Sequence, residues 1–123
     1  MINAIYEARK MAEKLEEMMF AGYCAYCSIK LTYLPNRFNT INWDHLIRVA
    51  QGGLDTSLNL TPSCKNCNSR LNHFDSKWAT VLGMKEPYNT NWKNIIIQEK
   101  RDHVNHRKAI ENFNNLLDIK NYY

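Results

Sequence analysis

Two Cys-x-x-Cys pairs, Cys24 with Cys27 and Cys64 with Cys67, separated by 36 residues, constrain this chain more than any other feature. A two-residue spacer lets both sulfurs of a pair aim at one centre, and Zn²⁺ takes four thiolates in a tetrahedron at about 2.3 Å. Joining the pairs predicts a structural zinc that closes a long loop, longer than in a compact zinc ribbon. The clamp therefore surrounds a functional insert. Two disulfides or four unrelated buried thiols are the alternatives; a redox Cys-x-x-Cys has no need of a second copy. The first twenty residues carry seven charges and no apolar h-region, unlike a secretory signal. The longest uncharged run, Met18 to Ile29, has 12 residues, well short of the roughly 20 that span a bilayer. The expectation is a protein without a membrane span, in a reducing cytoplasm, where cysteines serve metals more often than disulfides.

Its 123 residues suit one domain. Apolar residues at 45% and charged residues at 23% exclude disordered, collagen-like and coiled-coil chains. The net charge of +4 permits a polyanion partner without requiring one. Residues 21–84 hold the densest positive excess, +3 of that total.

Ile5, Ala8, Ala12, Leu15 and Met19 recur at steps of three and four, predicting an amphipathic helix over residues 1–20 with Gly22 as its stop. Residues 29–43 read as irregular, Ile41 to Arg48 as a short strand, and Gly52-Gly53 as a loop. Thr61-Pro62 reads as an N-cap followed by a first-turn proline, with a helix running through Cys64, Cys67 and Asn68 to about Leu71. Residues 84–123 form a helical extension, in which His103, His106, Ile110, Phe113 and Leu117 share a face read as packed. Trp43, Trp78 and Trp92 read as core or staple residues, and Lys100, Arg101, Arg107 and Lys108, interleaved with acids, as a solvated face.

Between the cysteine pairs stand Asp44-His45, Gly52-Gly53, Asn59 and Asn68, in the order Asp-His, thirteen residues, Asn, eight residues, Asn. With the knuckles, this pattern over residues 24–72 resembles the HNH endonucleases, a ββα-metal family, in a variant whose third motif residue is Asn. The spacing is similar to that of the HNH domain in RNA-guided CRISPR nucleases. The resemblance implies an α+β fold: one domain over 1–123, with a zinc-stapled ββα core flanked by N-terminal and C-terminal helices. Small stand-alone relatives occur in phages, mobile elements and restriction systems, which suggests a bacterial or phage-infected cell.

The chemistry accounts for the residue types. Phosphodiester hydrolysis needs an activated water and a stabilised leaving alkoxide. An imidazole, with an ordinary pKa of about 6.5, can take a proton from water, so His45 is the expected general base. Mg²⁺ or Mn²⁺ takes oxygen ligands, which Asp44 and Asn68 can supply. Neighbouring strand residues face opposite ways, so Asp44 and His45 share a site only at a strand end or distortion; the resemblance implies that arrangement. It also implies that Asn59 holds the loop that presents His45. Related sequences often have Lys three residues after the third motif residue, where this chain has Leu71, and Pro three after the motif His, where it has Arg48. Asn72, one turn beyond Asn68, with Arg48, Arg70 and His73, are accessory candidates, and Lys65 is a further polar neighbour. DNA is the expected substrate and nicking the expected outcome, with a homodimer covering the terminal apolar stripes. Competing readings are a catalytically degenerate HNH-fold module that binds DNA or a protein, and a plain zinc-ribbon interaction domain.

Overall fold

The computed structural model describes residues 2–87 and 89–121, and side chains from 3 to 118 within them; residues 1, 88, 122 and 123 of the expected helices and linker lie outside. In chain order come α1 (Ile2–Met18), β1 (Phe20–Tyr23), β2 (Lys30–Thr32), β3 (Asn42–His45), two 3-10 turns (Val49–Gln51 and Ser57–Asn59), β4 (Leu60–Ser63), α2 (Lys65–Arg70), α3 (Lys77–Leu82) and α4 (Thr90–Asn121). This is the expected α+β architecture, and its ββα unit is β3, β4 and α2.

Each sheet is an antiparallel pair. β3 and β4 run in continuous register, Asn42 opposite Ser63 through His45 opposite Leu60. Pro62 sits inside that ladder rather than in a helix, because its missing N–H faces away from β3, on the side where its O accepts from the Ala25 N–H at 3.0 Å. The helix expected from Thr61-Pro62 therefore starts later, capped by Cys64, whose Sγ accepts from the Cys67 N–H. The β1–β2 hairpin was not anticipated. Gly22 is no helix stop: it takes φ +88° within β1, where the register shifts between Phe20 and Tyr23. A bulge of that kind favours glycine and conceals the strand from a period-two reading. α3, capped by Ser76 and ended by Gly83 at φ +61°, was also missed.

The core has two centres. Ala21, Cys24, Tyr26, Leu31, Cys64, Cys67, Leu71 and Val104 form one; Leu46, Ile47, Ala79 and Ile96 form the other. α4 contributes to both through a buried row at steps of four: Ile96, Lys100 and Val104. The expected row from His106 to Leu117 is not packed: Ile110, Phe113 and Leu117 are exposed. At 1.5 Å per residue α4 is about 48 Å long and outruns the small core. Earlier on that face, the His103 ring lies 4.6 Å from that of Phe74. α1 is exposed along its described side chains. Trp43 and Trp78 are about half exposed rather than core residues. Among the described residues no helix is long and apolar enough to cross a membrane.

Candidate metal and nuclease centre

The knuckle turn after β1 and the first turn of α2 bring the four cysteines together, every sulfur within 4.8 Å of the others. The turn closes through Ser28 N–H to Cys24 O and Cys24 N–H to Ile29 O, both 2.9 Å, with Ser28 at φ +64°. The Cys64 N–H points at Cys24 Sγ at 3.4 Å and the Cys67 N–H at Cys64 Sγ at 3.5 Å. These amides favour a thiolate. A hydrogen bond from Cys67, helped by backbone N–H groups, pushes the Cys24 thiol down to about 4, and the same bond with burial pushes Cys67 up. Four clustered sulfurs are a soft donor set, and the cluster can hold one metal ion.

Some way along β3 lies an open, polar cavity of about 500 Å³. Asp44, His45 and Asn68 all line it, together with Trp43, Arg48, Lys65, Asn72 and His73. Asp44 and His45 both line it from the end of β3, although each still pairs in the ladder, with Thr61 and Leu60. α2 brings Asn68 across. Its Oδ1 accepts from Ser63 Oγ at 3.1 Å, which fixes the amide and leaves a second lone pair. A carboxylate and an amide oxygen form a hard donor set suited to Mg²⁺ or Mn²⁺.

Asn59 is fully buried and stitches the loop after His45. Its Oδ1 accepts from the Ile47 N–H at 2.9 Å. Its Nδ2 donates to Ile47 O and to Leu54 O, both at 2.8 Å, and its backbone O accepts from the Leu46 N–H at 2.8 Å. Gly53 packs so closely beneath this stitch that a Cβ there would lie 1.8 Å from Ile47 O. The imidazole itself is held by a different residue: His45 Nε2 pairs with Asp55 Oδ1 at 2.8 Å.

Of the accessory candidates, Arg48 lines the cavity while paired to Asp75 at 2.6 Å, and Asn72 and His73 stand exposed at its rim. Arg70 is not among the lining residues; it pairs with Glu111 on α4 at 3.0 Å. Three neighbours of the site escaped sequence reasoning: Asp55, Tyr26 and Lys100. Lys100 lies on a face whose interleaved charges predict solvation, yet it is only 3% exposed. Its ammonium meets Asp44 Oδ2 at 2.7 Å and donates to His45 O at 2.8 Å and Leu46 O at 3.1 Å. Burial pushes the Lys100 amine down from its ordinary value, and the Asp44 carboxylate pulls it back up. The Tyr26 hydroxyl donates to the same Oδ2; burial, then the Asp44 charge, push its phenol well above the usual range. Arg101, the next residue of that supposed face, donates to Ala25 O at 2.7 Å.

Residues 24–74 match the family model of the HNH endonucleases. The HNH match takes in both cysteine pairs, Asp44, His45, Asn59 and Asn68, and ends before α3 and α4. This segment is therefore a nuclease-type or HNH-fold module, with its ββα unit and cysteine cluster within the matched span. No curated protein and no solved structure matches the chain.

Proposed function

We propose that this chain is a divalent-metal-dependent endonuclease that hydrolyses DNA phosphodiester bonds, nicking one strand per event, with a structural Zn²⁺ on Cys24, Cys27, Cys64 and Cys67. The observation that carries this reading is the shared cavity: one open polar hollow lined by Asp44, His45 and Asn68. Asp44 and Asn68 offer oxygens to Mg²⁺ or Mn²⁺. A cation held by these two residues would supply neutralisation of charge on the scissile phosphate. His45 takes a proton from water at Nδ1, the ring nitrogen left free when Nε2 donates to Asp55. Asn59 keeps the backbone beyond His45 in one conformation, so that the imidazole faces the cavity. Asn72, Arg48 and His73, with Lys65, border the path a phosphate backbone would take; Arg70, occupied by Glu111, is assigned to α4 docking.

Supercoiled plasmid with Mg²⁺ or Mn²⁺ tests the reading: open circles accumulate before linear DNA. His45→Ala lowers the rate roughly 10²–10⁴-fold, the range for general-base loss, with fold and zinc content kept. Undiminished cleavage by that variant reassigns the base, and no cleavage by the parent refutes the activity.

One observation favours a second reading, a degenerate HNH-fold module that binds DNA or a protein without cutting. Leu71, where relatives often carry a lysine, is 6% exposed and packed in the cysteine-centred core. Retention of DNA without any nicking identifies that case. A second copy of this chain is the partner we assign to the bare apolar faces of α1 and of α4 from Ile110 to Leu117, which a symmetric pairing would bury. Light scattering that gives 14.5 kDa at every concentration refutes the dimer.

A further inference from the structure

A lysine buried to 3% exposure needs a reason, because removing an ammonium from water is costly unless every N–H finds an acceptor. Lys100 finds three: Asp44 Oδ2, His45 O and Leu46 O. None of its donors is left for a substrate. Two of those acceptors are the backbone carbonyls at and just beyond the end of β3, where Asp44 and His45 come to share one cavity. The third is the Asp44 oxygen that the Tyr26 hydroxyl also meets. The ammonium lies 5.6 Å from the Tyr26 ring centre, so the two donors converge on Oδ2 from adjoining positions. Among the described residues no hydrogen bond reaches Asp44 Oδ1.

We propose that Lys100 and Tyr26 are positioning residues that clamp Asp44 Oδ2 and so dedicate Oδ1, as a single-oxygen ligand, to the divalent cation of the cavity. The inference rests on the nuclease reading above and extends the site beyond the matched segment. Lys100 comes from α4, 56 residues downstream of Asp44. Tyr26 comes from the loop between Cys24 and Cys27, so the cysteine knuckle and α4 both act on one carboxylate. The clamp has two opposed effects on a cation. It fixes the direction of Oδ1, and it sets a positive charge beside the ligand, which lowers the affinity of that ligand.

Mn²⁺ binding by calorimetry and plasmid nicking at saturating Mn²⁺ test this on zinc-loaded full-length chain. Lys100→Met removes the charge and frees Oδ2: the Mn²⁺ dissociation constant falls at least about threefold while nicking slows at least about tenfold. A merely structural role would weaken both. Tyr26→Phe keeps the packing and removes only the hydroxyl; it slows nicking at saturating Mn²⁺ with fold and zinc intact. Arg101→Ala is the control, because it removes a neighbouring α4 cation that binds Ala25 O and does not touch Asp44; both readouts stay at parental values. Unchanged or weaker Mn²⁺ binding by Lys100→Met, parental nicking by Tyr26→Phe, or an equal effect of Arg101→Ala overturns the clamp. If Lys100→Met does not fold, Lys100→Gln replaces it, and failure of both to fold overturns the clamp as well. A parent that binds Mn²⁺ but cuts nothing refutes the nuclease reading and leaves the binding arm to decide the clamp. A parent that binds no Mn²⁺ refutes both.

Discussion

Asn59→Ala isolates the loop stitch from the chemistry. The amide makes three hydrogen bonds, to Ile47 N–H, Ile47 O and Leu54 O. The bond to Leu54 O is only partly buried, so water can replace the amide there, and that bond contributes little to the loss. Ile47 is 0% exposed, and both of its backbone groups are left without partners. At about 1–3 kcal/mol for each unsatisfied buried group, the loss is about 2–6 kcal/mol, a large fraction of the roughly 5–15 kcal/mol that holds a domain together. The melting temperature should fall by on the order of 10 °C, read by far-ultraviolet dichroism on zinc-loaded protein. Asn59→Asp sharpens the test. It keeps the acceptor for Ile47 N–H but turns the donor into an oxygen facing two carbonyl oxygens. A carboxylate there is disfavoured, so its folded pKa rises above the unfolded value of about 3.9. Such a group is least harmful below that unfolded value and costs stability as pH rises through the folded one. Asn59→Asp should therefore melt below Asn59→Ala at pH 7 and recover towards it at pH 4. An Asn59→Ala melt within about 3 °C of the parent, or an Asn59→Asp melt indifferent to pH, refutes the stitch.

Other outcomes follow from the same packing. One zinc per chain is expected by metal analysis, with cooperative unfolding on strong chelation and equivalent behaviour of Cys24→Ser and Cys64→Ser; a zinc-free, chelator-insensitive native chain contradicts the cluster. Gly53→Ala drives a methyl into Ile47 O and should cost about 1–3 kcal/mol by overpacking, seen as a lower denaturant midpoint; an unchanged midpoint means the loop yields freely. Glu111→Gln breaks the bridge to Arg70 at an exposed site. Glu111, held below the usual carboxylate range by the Arg70 guanidinium, stabilises above its unfolded pKa and loses that effect as pH falls through its lower folded one. The variant should thus melt slightly below the parent at pH 7 and match it at pH 2, and a difference that grows on acidification counts against the pairing.

The sequence alone determined the parts that depend on spacing. The ββα core follows from the likeness of the Asp44-His45, Asn59 and Asn68 intervals to the HNH pattern; two-residue spacers between cysteines fix which sulfurs of a pair can meet, which is local geometry. The helical tracts at the two ends were legible for the same reason. Strand β1 was not, because a bulge at Gly22 erases its alternation, nor was the fate of Pro62, which a turn signal cannot tell from an edge strand. The errors at Lys100 and at the face from Ile110 to Leu117 have one cause. Helical periodicity shows that residues share a face, whereas burial depends on what lies opposite that face. Among the described residues the buried row of α4 is Ile96, Lys100 and Val104, so a lysine is enclosed and a phenylalanine further on is left bare. Tertiary structure alone could make that choice, since the partner carboxylate of Lys100 lies 56 residues away in the chain and 2.7 Å away in space.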